Sequence, residues 1–151
     1  MNRKRYGKEG LGILKGPFEV RGDDGRLSRL LEDAARRPAE GVPPITTLRS
    51  AVLSNRPTTK TVGLTKYSEV EPAHTLRRPR QTIAFYSDLL GSLSDKAAEG
   101  VVAHELAHAW LNEHIGPEES GERESAADLL ARKWGFGVEL DALDDEAETV
   151  N

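Results

Sequence analysis

The residues in this chain best suited to do chemistry are His104-Glu105-Leu106-Ala107-His108. At helical spacing the two imidazoles fall one turn apart on a single face with a carboxylate beside them, the pattern H-E-x-x-H. Neutral imidazole nitrogens suit Zn²⁺, and a catalytic zinc site takes three protein ligands, leaving a fourth position for a water whose pKa the metal lowers to about 7. Glu105 is then the expected acceptor of that water's proton. An ordinary helix can also carry this run, so the surrounding sequence must supply the third ligand.

Two residues could do so. The first is Glu124, in Glu124-Ser125-Ala126-Ala127-Asp128. If the helices on either side of Gly116-Pro117 form an antiparallel hairpin, residues equidistant from Gly116 lie level, at about 1.5 Å rise per residue. His108 and Glu124 are each eight positions from it, and His104 and Asp128 each twelve. Glu124 is therefore the expected ligand, and Asp128 is expected to accept the second N–H of a ligand histidine. Ala127 and Ala131 on the same face would let the helices approach closely. The rival is His114, which reproduces the metzincin spacing H-E-x-x-H-x-x-G-x-x-H except that Leu111 replaces the glycine needed for a sharp turn. The only methionine is Met1, so the metzincin Met-turn is missing too. His114 is expected instead to be a polar residue in the last helical turn, where a cation is favourable against the dipole.

The elements that must position these residues follow from periodicity. Arg26 to Arg37 reads as a helix on Leu27, Leu30, Leu31 and Ala34, ending at Pro38. Ile45 to Leu53 is open between helix and strand, Thr58 to Tyr67 is β-branched enough for a strand, and Gln81 to Tyr86 is a second strand. Ser94 caps the helix that carries the histidines, and Gly100 inside it points to a close packing contact. A further helix runs from about Glu118 to Trp134. Residues 1–25 are expected to be a loose arm, 26–140 the folded domain and 141–151 an acidic, frayed tail.

Composition sets limits around this. The chain has 151 residues, enough for one domain with a core, and no cysteine, which excludes a disulfide scaffold and a Cys-ligated zinc site. No apolar stretch suits a signal peptide or membrane span, so a cytoplasmic protein is expected. Charge is uneven: residues 1–90 carry 17 Lys/Arg against 10 Asp/Glu, and residues 91–151 carry 4 against 15. The basic half lacks a nucleic-acid motif and aromatics for base stacking, so nucleic-acid binding is not expected.

With H-E-x-x-H at 104–108 joined to E-x-x-A-D at 124–128, the sequence resembles the gluzincins, particularly the small zinc peptidases of the Ste24/HtpX type (M48) and the related ImmA/IrrE peptidases. The likeness covers roughly residues 72–137, with Ile83 to Leu90 and Val101-Val102-Ala103 resembling the family's strand, short helix and active-site helix. It implies an α+β minimal zincin fold, a small mixed or antiparallel sheet whose edge strand, Gln81 to Tyr86, lies along the cleft and aligns an extended peptide by β-augmentation. It also implies a zinc metallopeptidase that hydrolyses internal peptide bonds through a zinc-activated water, with one Zn²⁺ per chain on His104, His108 and Glu124 and with Glu105 as base. No downstream motif reveals an oxyanion stabiliser; His74 and Tyr86 are the candidates for substrate or oxyanion contact by sequence order. The alternatives are a metzincin-like or SprT-like protease using His114, and a non-catalytic zinc-stabilised regulatory domain.

Overall fold

The computed structural model describes residues 3–22, 25–54, 61–62, 65–66, 73–76, 80–116 and 120–150. Strands β1 (Arg3–Tyr6), β2 (Phe18–Arg21), β3 (Leu48–Ser54), β6 (Ala73–Leu76) and β7 (Gln81–Tyr86) form one sheet in the order β1-β2-β3-β7-β6. β2, β3 and β7 run parallel, with an antiparallel strand at each side, so the sheet is mixed and the fold is α+β. A short hairpin, β4 (Thr61–Val62) with β5 (Thr65–Lys66), stands apart. The 58–67 strand of the sequence reading is therefore a hairpin where it is described; its remaining residues lie outside the described ones.

Helix α1 (Arg26–Arg36) crosses from β2 to β3 and buries Leu27, Leu30, Leu31 and Ala34, the stripe its periodicity marks. A short α2 (Ser87–Gly91) leads to α3 (Asp95–His114), followed by α4 (Ser120–Lys133) and α5 (Gly137–Val150). α3 packs against α1, α4, α5 and β6. It is accordingly buried on nearly every side, with Ala97, Ala98, Gly100, Val101, Val102, Ala103, Leu106, Ala107 and Ala109 in the core. Its small and branched apolar residues let neighbours cover it from Ala97 to Ala109, and it forms the spine of the molecule.

Three expectations are corrected. The segment 1–25 is not a loose arm: β1 and β2 join the sheet, Phe18 and Val20 are buried, and Leu14 bridges to Ile45. The tail from Asp141 is not frayed but continues α5, which buries Leu140 against the core and returns to the start of α3. β7 is not an edge strand; it lies between β3 and β6, because Ile83 and Phe85 are wholly buried and both of its sides are hydrogen-bonded. The edge is β6. No helix among the described residues is long and apolar enough to cross a membrane.

Candidate active site

Helix α3 is fixed at both ends and along its length. Ser94 is its N-cap, its Oγ accepting from the Ala97 N–H at 3.2 Å, and Glu146 of α5 in turn accepts from the Ser94 N–H and hydroxyl. Gly100 meets α5 so closely that a Cβ there would stand 2.7 Å from the Glu139 carbonyl oxygen, which accounts for a glycine in mid-helix. At the other end Gly116 adopts φ 102° and donates its N–H to the Leu111 carbonyl at 3.0 Å, turning the chain toward α4.

On that frame His104, His108 and Glu124 come together. His104 Nε2 lies 3.1 Å from Glu124 Oε2 and 3.1 Å from His108 Nε2, and His108 Nε2 lies 2.8 Å from Glu124 Oε1. The rings meet edge to face, 4.6 Å between centroids. Glu124 thus lies level with the histidines across the Gly116 reversal, and its carboxylate spans both of them rather than one. His108 is buried, while the Glu124 side chain is 61% exposed, so the cluster opens to solvent on the α4 side.

Electrostatics bind the three together. Hydrogen bonds from His104 and His108 hold the Glu124 carboxyl well below the usual carboxylate range against the opposing effect of burial. Burial pulls the His104 imidazole down, but the Glu124 hydrogen bond and the charges of Glu105, Glu124 and Asp128 prevail and raise it.

The donor set suits a metal of zinc's kind. Two imidazole nitrogens and a carboxylate oxygen lie within 4.8 Å of one another, and with zinc–ligand bonds of about 2.0–2.1 Å the edges of a tetrahedron are about 3.3 Å. The observed separations of 2.8 to 3.1 Å are a few tenths of an ångström shorter than that edge, so small side-chain movements would seat a metal among the three atoms. No other group of this kind occurs among the described residues.

Glu105 is buried beside the cluster, and its carboxylate Oε1 accepts from the Thr75 hydroxyl of β6 at 2.7 Å. Asp128 departs from expectation: its Oδ2 accepts from Arg132 Nε at 2.8 Å and not from a histidine, because Arg132 is one turn away on the same helix and also bridges to Asp141 and Asp144 of α5. Asp128 acts on the cluster through its charge on His104.

His114 is elsewhere. α3 continues unbroken past Leu111, whose carbonyl accepts from the Ile115 N–H, and carries His114 to a hydrogen bond with the Pro44 carbonyl at 2.8 Å and a contact with the Trp110 ring. The alternative that uses His114 as third ligand therefore fails on the absence of the turn. His74 lies in β6, in register with Ala84. Tyr86 is 1% exposed at the junction of β7 and α2, and so presents no surface to a substrate.

Sequence reasoning missed the polar brace behind the cluster. Arg123 of α4 donates to Asn112 Oδ1 at 3.1 Å, Asn112 donates to Gln81 Oε1 at 3.0 Å, and Gln81 donates to Thr47 and to the Ala109 carbonyl, both at 2.9 Å. This chain ties the residue next to Glu124 to the centre of the sheet. Part of it was within reach of pattern: His104, His108 and Asn112 recur every four residues and share the face toward α4. Nothing in the sequence marks Thr75.

An α+β domain with two histidines and a glutamate from adjacent helices converging beside a buried carboxylate has the construction of a metallopeptidase. The comparison with known families agrees. The model of peptidase family M48 matches residues 46–133, which run from the start of β3 to the end of α4, and the chain belongs to that family. No curated protein and no solved structure gave a significant match.

Proposed function

We propose that the protein is a zinc-dependent endopeptidase whose metal is held by His104, His108 and Glu124 and whose general base is Glu105. The observation that carries this reading is the convergence of the two Nε2 atoms and the Glu124 carboxylate beside a buried Glu105. When bound, zinc would supply Lewis acidity to a scissile carbonyl and acidity to a water. The protein's own part is to hold and move a proton. Glu105 takes the proton from the attacking water as the water oxygen bonds to the carbonyl carbon, and it returns that proton to the amine nitrogen as the C–N bond breaks. Peptide and protein substrates would align in extended form along the outer side of β6, taking backbone hydrogen bonds from the strand that also contacts Glu105.

The test has two parts. Elemental analysis of purified protein after gentle dialysis is expected to find about one zinc per chain. Cleavage of unfolded casein or a peptide library by the parent is then compared with Glu105→Gln, which is expected to keep its zinc and lose most of the activity. Protein that neither retains nor takes up zinc contradicts the proposal.

A further inference from the structure

Glu105 has an unusual setting for a proton acceptor. It is 6% exposed, and among the described residues its one hydrogen bond comes from Thr75, itself 8% exposed. A buried carboxylate with a single partner is held by that partner or by packing alone, and a glutamate has two side-chain torsions beyond χ1 to fix. Thr75 also occupies a particular place. Strand alternation puts it with buried Ala73 on the side of β6 toward α3, in register with Ile83 of β7. β7 takes one side of β6, and no strand of the described sheet takes the other.

We propose that Thr75 is a positioning residue for the hydrolytic reaction: its hydroxyl, donated from the edge strand, fixes the Glu105 carboxylate with one oxygen engaged and the other free to take the proton. The assignment rests on the metallopeptidase reading above and adds to it a reason why the base and the peptide-aligning strand stay in register. A hydroxyl donating to Oε1 at 2.7 Å is a charge-assisted bond of the stronger kind. It favours one rotamer of Glu105 and leaves Oε2 uncommitted among the described residues. Because Thr75 belongs to β6, any displacement of that strand moves the base with it, so the distance between a peptide paired to β6 and the group that must protonate its leaving amine is kept constant. Misplacing a reacting group by about 1 Å can cost about 100-fold in rate.

The test compares Thr75→Val, which keeps the shape and removes the donor, with Thr75→Ser, which keeps the donor, in the zinc-loaded protein. Thr75→Val is expected to lower kcat by roughly 10- to 100-fold while leaving KM, zinc affinity by chelator competition and the visible spectrum of the cobalt-substituted protein as in the parent. Thr75→Ser is expected to restore most of the rate. A second measurement does not depend on turnover: in metal-free protein Thr75→Val should lower Tm in the parent background and not in Glu105→Leu, where the bond has no acceptor. An unchanged kcat in Thr75→Val overturns the proposal, as does a loss of rate that tracks loss of zinc or that serine fails to rescue. A parent that binds no zinc and cleaves no peptide would instead reject the metallopeptidase reading, and this assignment with it.

Discussion

Replacing Glu99 by glutamine should flatten the pH dependence of stability. Arg37, the residue after α1, reaches three helices: its guanidinium lies 3.2 Å from Asp33 of α1, 3.0 Å from Glu99 of α3 and 3.0 Å from Glu139 of α5, and it stacks on Phe136 at 4.2 Å. One cation faces three carboxylates. Burial, then the neighbouring Asp33 and Glu139, push the Glu99 carboxyl up to about 7 despite Arg37. Because the folded value lies above the ordinary 4.5, the folded protein binds more protons than the unfolded chain between those two values. Stability should therefore fall as pH rises from about 4.5 to 7 and level off above. The separation of about 2.5 units sets a ceiling of about 3 kcal/mol, of which about 1–2 kcal/mol is a reasonable expectation after relaxation. Glutamine reproduces the protonated acid, donating to Asp33 and accepting from Arg37, without the titration. Glu99→Gln should match the parent near pH 5 and exceed it near pH 8 by that amount, a Tm gain of about 2–8 °C. Urea or thermal unfolding of both proteins at pH 5, 6, 7 and 8 measures it. Parallel profiles, or a variant less stable at pH 8 than at pH 5 relative to the parent, would refute the reasoning.

Other expectations follow from the site and the spine. Glu105→Gln should retain zinc and lose roughly 10²- to 10⁴-fold in peptidase activity, measured by steady-state cleavage. In competition with a chromogenic chelator, Glu124→Ala should weaken zinc binding sharply and His114→Ala should leave it nearly unchanged, since His114 is bonded to Pro44. Asp128→Asn should weaken it less than Glu124→Ala, because Asp128 is bonded to Arg132 and no ligand. Gly100→Ala forces a Cβ to within 2.7 Å of the Glu139 carbonyl, and the displacement of α5 should cost about 1–3 kcal/mol by urea unfolding, with the metal site intact.

The helix that carries His104 and His108 was legible because its information is local. Histidines at i and i+4, a serine cap and a glycine at each point of close approach or reversal are all written within about 25 residues. Glu124 was legible one step further out, through equal distances from Gly116, since a tight helical hairpin converts counting into geometry. The N-terminal segment reads as loose because it is rich in glycine. Gly10 and Gly12 instead take left-handed φ values where the backbone runs against Leu14 and Ala35, and Leu11, Leu14, Phe18 and Val20 fill the core between them. The acidic tail reads as frayed because net charge suggests solvation, whereas in the fold Asp141 and Asp144 meet Arg132, and Glu146 meets Ser94. Strand order was illegible for a different reason: pairing is non-local, and β3 meets β7 across a gap of more than twenty residues that no periodicity spans.

The two margins of the sheet are chemically unlike. At one, β1 presents Arg3, Lys4 and Arg5 in succession, all exposed, with Arg3, Arg5 and Arg21 sharing the single carboxylate of Glu19. Consecutive cations on an outer strand repel a like neighbour and discourage further pairing. At the other margin, Ala73-His74-Thr75-Leu76 carries no Lys, Arg, Asp or Glu. The sheet is thus a one-ended template, sealed by charge where a sixth strand would gain nothing and left permissive where an added strand would arrive next to Glu105.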